Sequence, residues 1–322
     1  MNAVAQTLAS LKLGDAIQHH NLAVFPLFAA HEAVADYLTL DEALETGVAR
    51  VTEVSEAGHV PELLFVNDAQ QSVLLVDGEE LVGARQNRIL NLTLLVGAKT
   101  RVVIPVSCVE QGRWSYRSRE FSSAKRNLHA RARADKMRDV SRTMEDSGSR
   151  MGDQGRVWNH ISRKQHAMNV DSPTSAMGDI YEQRRVDVDK YRTAFEAKPG
   201  QVGGVFAING SIRGVELFDS AATFAKFMQK VLGSYALDAA EESTSTAVPI
   251  TPTAAARDFL SRLQHAQPRP FDALALGEDV RLELGDVSGG ALVVGEKVVH
   301  LVAFAVDAQP EEEGGRRRGN GG

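Results

Sequence analysis

Three acidic side chains that could do acid–base chemistry follow an apolar run in the first third of the chain. Asp77, Glu79 and Glu80 come directly after residues 73–76. Paired carboxylates can act as general acid and base or hold a hard cation. Glu79 and Glu80 on an extended strand point to opposite faces, so only one can share a pocket with Asp77. We predict these three as candidate catalytic residues; the alternative is an Asp77-Gly78 turn followed by solvated acids.

A second cluster combines amides with arginine a few residues later. Gln86, Asn87 and Asn91 offer both hydrogen-bond donors and acceptors, and Arg88 or Arg85 offers a planar fork that suits phosphate. This mixture favours a nucleotide or sugar-phosphate ligand over an apolar one, so Gln86, Asn87, Arg88 and Asn91 are predicted to bind ligand. The alternative is that the amides satisfy backbone groups at a bend or bulge.

A third group lies in the segment EQGRW at 110–114. Trp114 could stack on a base or sugar, Arg113 could reach a phosphate, and Glu110 could accept hydrogen bonds from hydroxyl groups. We therefore predict Glu110, Arg113 and Trp114 as further ligand-binding residues. The alternative is a Trp114 side chain that packs the sheet onto the helices.

The stretch from Arg113 to Lys164 is basic, whereas the whole chain has a net charge of −6. Such a stripe could contact RNA or an acidic protein partner, although the net charge argues against general nucleic-acid binding. The alternative is a solvated helix with local ion pairs. Beyond Arg113 its members are Arg117, Arg119, Lys125, Arg126, Arg131, Arg133, Lys136, Arg138, Arg142, Arg150, Arg156, Arg163 and Lys164.

Several classes of site are excluded by residue counts and spacing. Cys108 is the only cysteine, which excludes an intrachain disulfide and a multi-cysteine zinc site, and its apolar surroundings predict a buried side chain. The nine histidines show no HExxH spacing, and no Walker, dinucleotide-binding or GxSxG pattern occurs. We therefore predict no metal site and can name no cofactor.

No apolar run approaches the ~20 residues that cross a bilayer. The N-terminal segment lacks the pattern of a signal peptide, so we expect a cytoplasmic protein without membrane association.

The distribution of apolar residues predicts an α+β fold. Short apolar runs between turn signals dominate the first ~115 residues and indicate a mostly antiparallel β-sandwich or barrel-like sheet. A long helical insert at about 122–197 follows, with helices expected at Ser122–Met144, Asp153–Asn169 and Ser175–Glu196. The apolar stripe of the first is thin, so we expect that helix to be largely solvated.

A hairpin and a helix complete the expected main domain, 1–240. Asn209-Gly210 predicts the hairpin within 202–217, and Asp219 or Ser220 is expected to cap a helix over Ala221–Leu232. Residues 241–253 are predicted to be a linker or loop. A helix and strands over 254–307 are expected to add to the main sheet, and the charged, glycine-rich 308–322 to form a disordered tail.

Several strings resemble one known family. They are LDEALETGVARVTEVSEAGHVPELLFVN, DGEELVGARQNRILNLTLLV, IPVSCVEQGRW and VGGVFAINGSIRGVELFDSAATFAKFMQKVLGSYALDA. In this order they resemble the ADP-ribosylglycohydrolase and rhodanese-phosphatase-associated protein domain family from about Leu13 to Ala240. The resemblance implies a role around NAD-derived or ADP-ribosyl metabolites. It implies no catalytic residue.

Two hypotheses follow. The first is a domain that binds an ADP-ribose-like or other nucleotide ligand through the three clusters and, if it is an enzyme, hydrolyses that ligand. The second is a non-enzymatic, partner-binding or scaffolding module that uses the basic helical insert. In the first case the polar cluster should line a concave pocket, whereas in the second it should be internally paired.

Overall fold

A computed structural model describes residues 2–30, 33–55, 61–115, 117–243, 248 and 250–306. Helices account for 33% and strands for 36% of the described residues, and the sheets are antiparallel apart from one parallel pair. The predicted α+β class is therefore confirmed, including a barrel-like sheet. The expected tail at 308–322 lies outside the described residues, as does most of 244–249.

The described chain contains eight helices and eighteen strands, numbered in chain order. The helices are α1 Ala3–Ser10, α2 Leu40–Glu45, α3 Ala130–Ser147, α4 Gln154–Ala167, α5 Met177–Gln183, α6 Arg185–Arg192, α7 Ala221–Glu241 and α8 Thr253–His265. The strands are β1 Lys12–Leu13, β2 Ile17–His19, β3 Leu22–Phe28, β4 Tyr37–Thr39, β5 Ala49–Glu53, β6 Glu62–Asn67, β7 Ser72–Leu75, β8 Glu79–Gly83, β9 Arg88–Leu90, β10 Leu94–Val96, β11 Arg101–Cys108, β12 Glu120–Asn127, β13 Gln201–Ile208, β14 Ser211–Phe218, β15 Pro268–Asp272, β16 Glu278–Leu284, β17 Val287–Val294 and β18 Lys297–Ala305.

A nine-stranded sheet forms one half of the fold. Its order is β1-β3-β13-β14-β18-β17-β16-β15, and β2 pairs with β3. The four strands that follow α8, β15 to β18, join the sheet through β18, which pairs with β14 from Gly214↔Phe304 to Phe218↔His300. Apolar side chains cover both faces: Phe206 and Phe218 pack with α7 on one, and Phe25 packs with α8 on the other.

A closed six-stranded barrel forms the other half, in the order β11-β6-β5-β12-β8-β9. A three-stranded sheet, β10-β7-β4, lies beside it. Alternate residues of the barrel strands fill its interior, including Val51, Phe65, Leu81 and Phe121, all of which are buried. Most of the polar residues singled out in the sequence lie on β8, on β9 or in the turns around them.

Helix α3 joins the two halves. The sequence predicted a largely solvated helix over Ser122–Met144, and this prediction was wrong in its start and in its exposure. Residues 120–127 form strand β12, because they pair with β8 and β5 and so close the barrel. The helix begins at Ala130 and is not largely solvated, since ten of its 18 residues are buried. Its first half packs in the sheet core through Ala134 and Met137, whereas Val140 and Met144 pack in the barrel core.

Other local expectations were met in part. The Asn209-Gly210 hairpin is present as β13 and β14, both turn residues having positive φ. Ser220, rather than Asp219, caps α7 by accepting from Thr223 N. The helix expected at Ser175–Glu196 is divided into α5 and α6 at Arg184.

Within the described residues no helix is both long and apolar enough to cross a membrane. The cytoplasmic location stays a prediction.

Candidate functional site

The three predicted catalytic acids are buried, and each is held by different cations. Burial raises the pKa of Glu79, whose Oε1 accepts from Lys230 Nζ of α7 at 2.5 Å. Glu80 accepts from Arg126 of β12. Asp77 lies in a turn with Gly78 and belongs to a third set of contacts. The Asp77-Gly78 turn is therefore present, as expected. The three acids, however, are not exposed to solvent, and their carboxylates do not converge on one point where they could share a water molecule.

Asp77 belongs to a buried ion ring that joins the barrel, α3 and the nine-stranded sheet. The members of this ring are Asp77, Thr93, Arg133, Lys136, Glu216 and His300. Arg133 Nε donates to Asp77 Oδ2 at 3.3 Å, and Arg133 also bonds to Glu216, whose second oxygen lies 3.1 Å from His300 Nε2. Lys136 bonds to Asp77 and to two backbone carbonyls. These interactions pair the buried charges of the three elements with one another.

Four of the predicted residues do form one connected network. Asn87 Nδ2 donates to Glu80 Oε1 at 3.3 Å, and Asn87 Oδ1 accepts from Arg113 at 3.1 Å. Arg113 Nε donates to Glu110 Oε2 at 2.8 Å. Burial raises the pKa of Glu80. Burial alone would also raise that of Glu110, but the hydrogen bonds from Arg113 and Thr174 lower the pKa of Glu110 below its usual value.

The network reaches the surface in a pocket between the barrel and α5, which we name the barrel–helix pocket. Its volume is about 320 Å³. Its lining residues are Val82, Asn87, Glu110, Arg117, Arg126, Pro173, Thr174, Ala176, Gly178, Asp179 and Glu182. Two of the predicted ligand-binding residues, Asn87 and Glu110, therefore line a concave pocket together with two arginines.

Close backbone contacts build this pocket. Gly112 N donates to Thr174 O at 2.8 Å, and a Cβ on Gly112 would lie 2.9 Å from Thr174 Cα. This contact brings Thr174 Oγ1 to 3.0 Å from Glu110 Oε1. In α5, Gly178 leaves room for Arg126, since a Cβ there would lie 2.3 Å from its guanidinium. Thr174 and Arg126 lie far from the polar clusters in the sequence, and no local signal linked them to Glu110 or Glu80.

The remaining predicted residues lie outside the barrel–helix pocket. Arg88 is fully buried; one of its nitrogens donates to Gln86 Oε1 at 3.1 Å, and burial lowers the pKa of Arg88. Trp114 is 47% exposed, and its ring centre lies 6.0 Å from Arg88 Cζ, so it does not pack the sheet onto the helices. Asn91 contacts Ser107 and the carbonyl of Arg150 instead.

Cys108 has the buried setting that the sequence predicted, and burial raises the pKa of its thiol. Gln154 of α4 bonds to the backbone of Cys108 twice, at 2.7 and 2.9 Å. Nothing in the local sequence around Gln154 indicated this contact.

In the described part of the chain, no three His, Cys, Asp or Glu side chains gather as a metal site.

Comparison with known families gives one match. The family model of the ARG and Rhodanese-Phosphatase-superfamily-associated Protein domain, ARPP-1, matches residues 10–304. No curated protein and no solved structure matches the chain. The match covers both halves of the fold and all of the predicted site residues. The chain therefore belongs to the ARPP-1 domain family.

Proposed function

We propose that this domain binds a small, phosphate-bearing ligand of the nucleotide class in the barrel–helix pocket. The observation that carries the proposal is that Asn87 and Glu110 line this pocket beside Arg117 and Arg126. An amide and a carboxylate can select the hydroxyl and base edges of such a ligand, and a guanidinium can hold its phosphate. A volume of about 320 Å³ is within the usual range of small-molecule sites.

Arg117 is the side chain best placed to meet the phosphate. It is 58% exposed and, among the described residues, its ion-pair partner is Glu110 Oε1 at 3.7 Å, so the guanidinium is only loosely engaged. Arg126, by contrast, is held by Glu80 and Glu182. Removal of Arg117 therefore tests ligand binding without breaking a buried ion pair.

The proposal is limited to binding, because acid–base hydrolysis needs two groups that reach one water molecule. Among the candidate catalytic acids, Asp77 and Glu79 are bound elsewhere and Glu80 lies beneath the pocket wall. Glu110 lines the pocket but is bonded to Arg113 and Thr174. We propose a role around NAD-derived or ADP-ribosyl metabolites, and ADP-ribose, NAD and AMP are therefore the first ligands to test.

Calorimetric titration and thermal unfolding with these three compounds test the proposal. A ligand at about 100 times its Kd should stabilise the fold by about 2.7 kcal/mol. We expect Arg117→Gln to weaken binding about tenfold or more, the equivalent of ~1.4 kcal/mol, and Arg119→Gln, an exposed neighbour outside the pocket, to have no effect.

Two results would contradict the proposal. One is the absence of any shift with all three compounds. The other is binding that Arg117→Gln leaves intact and Trp114→Phe abolishes, which would place the ligand at the barrel end near Arg88.

A further inference from the structure

A second, larger depression lies on the helical insert, away from the barrel–helix pocket. It has a volume of about 570 Å³ and is lined by five arginines, His160 and only three carboxylates. We name it the arginine groove; its arginines are Arg131, Arg138, Arg156, Arg163 and Arg213. They come from three elements, namely α3, α4 and β14, so the groove exists only in the folded chain.

Two of the three carboxylates of the groove are paired with cationic side chains. Asp238 accepts from Lys164 Nζ at 2.6 Å and from His129 Nδ1 at 2.9 Å. Glu242 is bound by both Arg131 and Arg213, at 2.9 and 2.5 Å. Asp135 lies 2.8 Å from His160 Nε2, and this contact lowers the pKa of Asp135. An incoming anion therefore meets the arginines beside Asp238 and Glu242, which are already paired with cations, and beside Asp135, which is hydrogen-bonded to the His160 ring.

Two of the arginines are available to such an anion. Arg138 and Arg163 form no ion pair with any carboxylate in the described ranges, whereas Arg156 Nε lies 3.2 Å from Asp139. Arg163 is exposed and Arg138 is half-buried. A planar guanidinium matches phosphate oxygens two at a time, and it loses less hydration than an ammonium group when it does so.

We propose that the arginine groove binds a small polyanion carrying two or more phosphate groups. Its concave form favours a small molecule over a flat macromolecular surface, and the spread of its cations over two facing helices and a strand favours several phosphates over one. This site is separate from the barrel–helix pocket and does not depend on the function proposed there.

Calorimetric titration with inorganic pyrophosphate and tripolyphosphate tests this proposal. We expect saturable binding that is tighter for tripolyphosphate and weaker at higher salt. The double variant Arg138→Gln/Arg163→Gln should lower the affinity about tenfold or more, because each arginine contributes a charge-assisted hydrogen bond. Neither arginine forms an ion pair with a carboxylate of the described residues, so the double variant should keep the fold, as far-UV circular dichroism can verify.

Matched variants decide which site is responsible. Arg142→Gln removes a 58% exposed arginine of the same helix that lies outside the groove, and it should bind like the wild type. Arg117→Gln should also leave polyphosphate binding unchanged. Binding lost in Arg117→Gln but retained in the double variant would overturn the proposal, as would the absence of any polyphosphate binding. An acidic peptide or RNA oligomer that binds through Arg138 and Arg163 when polyphosphate does not would likewise overturn it.

Discussion

Arg133 is a cation at a fully buried position of α3, and such positions usually hold apolar side chains. It is fully buried, bonds to Asp77 and Glu216, and lies 5.2 Å from the ring centre of Phe304. A buried charge is costly unless it is paired, and loss of one partner leaves the others uncompensated. The sequence placed Arg133 in a basic surface stripe, since charge alone cannot show that two acids lie on the facing elements.

We predict that Arg133→Met destabilises the protein by about 3–5 kcal/mol, because Asp77 and Glu216 each lose a buried partner. Arg142→Met on the same helix should cost at most about 1 kcal/mol, since Arg142 is 58% exposed and Asp139 keeps its contact with Arg156 Nε at 3.2 Å. Urea unfolding of both variants measures the difference. Equal stability of the two variants would mean that the buried ion ring adds nothing.

His129 gives stability a dependence on pH. It is buried, its Nδ1 bonds to Asp238, and Lys164 and His160 are its other charged or titratable neighbours. Burial and the charge of Lys164 lower the pKa of His129 to about 4, from 6.5 in an unfolded chain. Between these values the unfolded chain binds a proton that the folded chain does not. The contribution of His129 is therefore complete above pH 6.5 and is lost as the pH falls towards 4.

We predict that this loss is on the order of 3 kcal/mol in the free energy of unfolding. His129→Asn keeps an N–H for Asp238 but does not titrate, so its stability should fall less between pH 6.5 and 4. Urea unfolding of both proteins across this range gives the difference, in which the carboxylates common to both proteins cancel. Parallel profiles would contradict the assigned role of His129.

The turn between β7 and β8 is the element that fixes Asp77 against α3. Gly78 has φ of +83°, and a Cβ there would lie 2.8 Å from Arg133 Nε. Gly148, at the C-cap of α3, has a similar φ of +72° but no atom within 4 Å of its Cβ position. Substitution of Gly148 therefore measures the cost of backbone strain alone, whereas substitution of Gly78 adds a collision with Arg133 of the buried ion ring.

We predict that Gly148→Ala costs about 1 kcal/mol through strain alone, whereas Gly78→Ala costs about 1–3 kcal/mol more. The additional cost arises because Arg133 is held by two carboxylates and cannot move away without loss of their bonds. Thermal and urea unfolding of the two variants provide the measurement. If both substitutions cost the same, the space around Gly78 is less constrained than these distances indicate.

Elements with a local signal could be predicted from the sequence, and elements set by distant pairing could not. The Asn209-Gly210 hairpin and the Ser220 cap of α7 both follow from their own residues. Strand β12, EFSSAKRN, has no alternation of apolar and polar residues and is a strand because β8 and β5 pair with it. The same applies to the candidate site: the residue types of Asn87, Glu110 and Arg113 singled them out, whereas Arg126 and Thr174 join their network only through the fold.

At the scale of the whole molecule, the barrel and the nine-stranded sheet share their stabilising interactions. Helix α3 packs in both cores, and the buried ion ring contains residues from the barrel side, α3 and the sheet. Lys230 of α7 adds a second link, since it bonds to Glu79 of β8 and to Asp41. Separation of the halves would leave these charges without partners, so we expect the halves to unfold together.

The two tryptophans test this cooperativity, because Trp114 lies at the barrel end and Trp158 lies in α4 of the helical insert. We predict that Trp114→Phe and Trp158→Phe, each with one fluorescent reporter left, give urea midpoints that match the far-UV circular dichroism midpoint of the same variant. The comparison within each variant removes any effect of the substitution on overall stability. A fluorescence midpoint that departs from the dichroism midpoint in either variant would show that one half unfolds first. When either substitution is combined with Arg133→Met, we expect a larger difference between the fluorescence and dichroism midpoints, because Arg133→Met weakens the link between the halves.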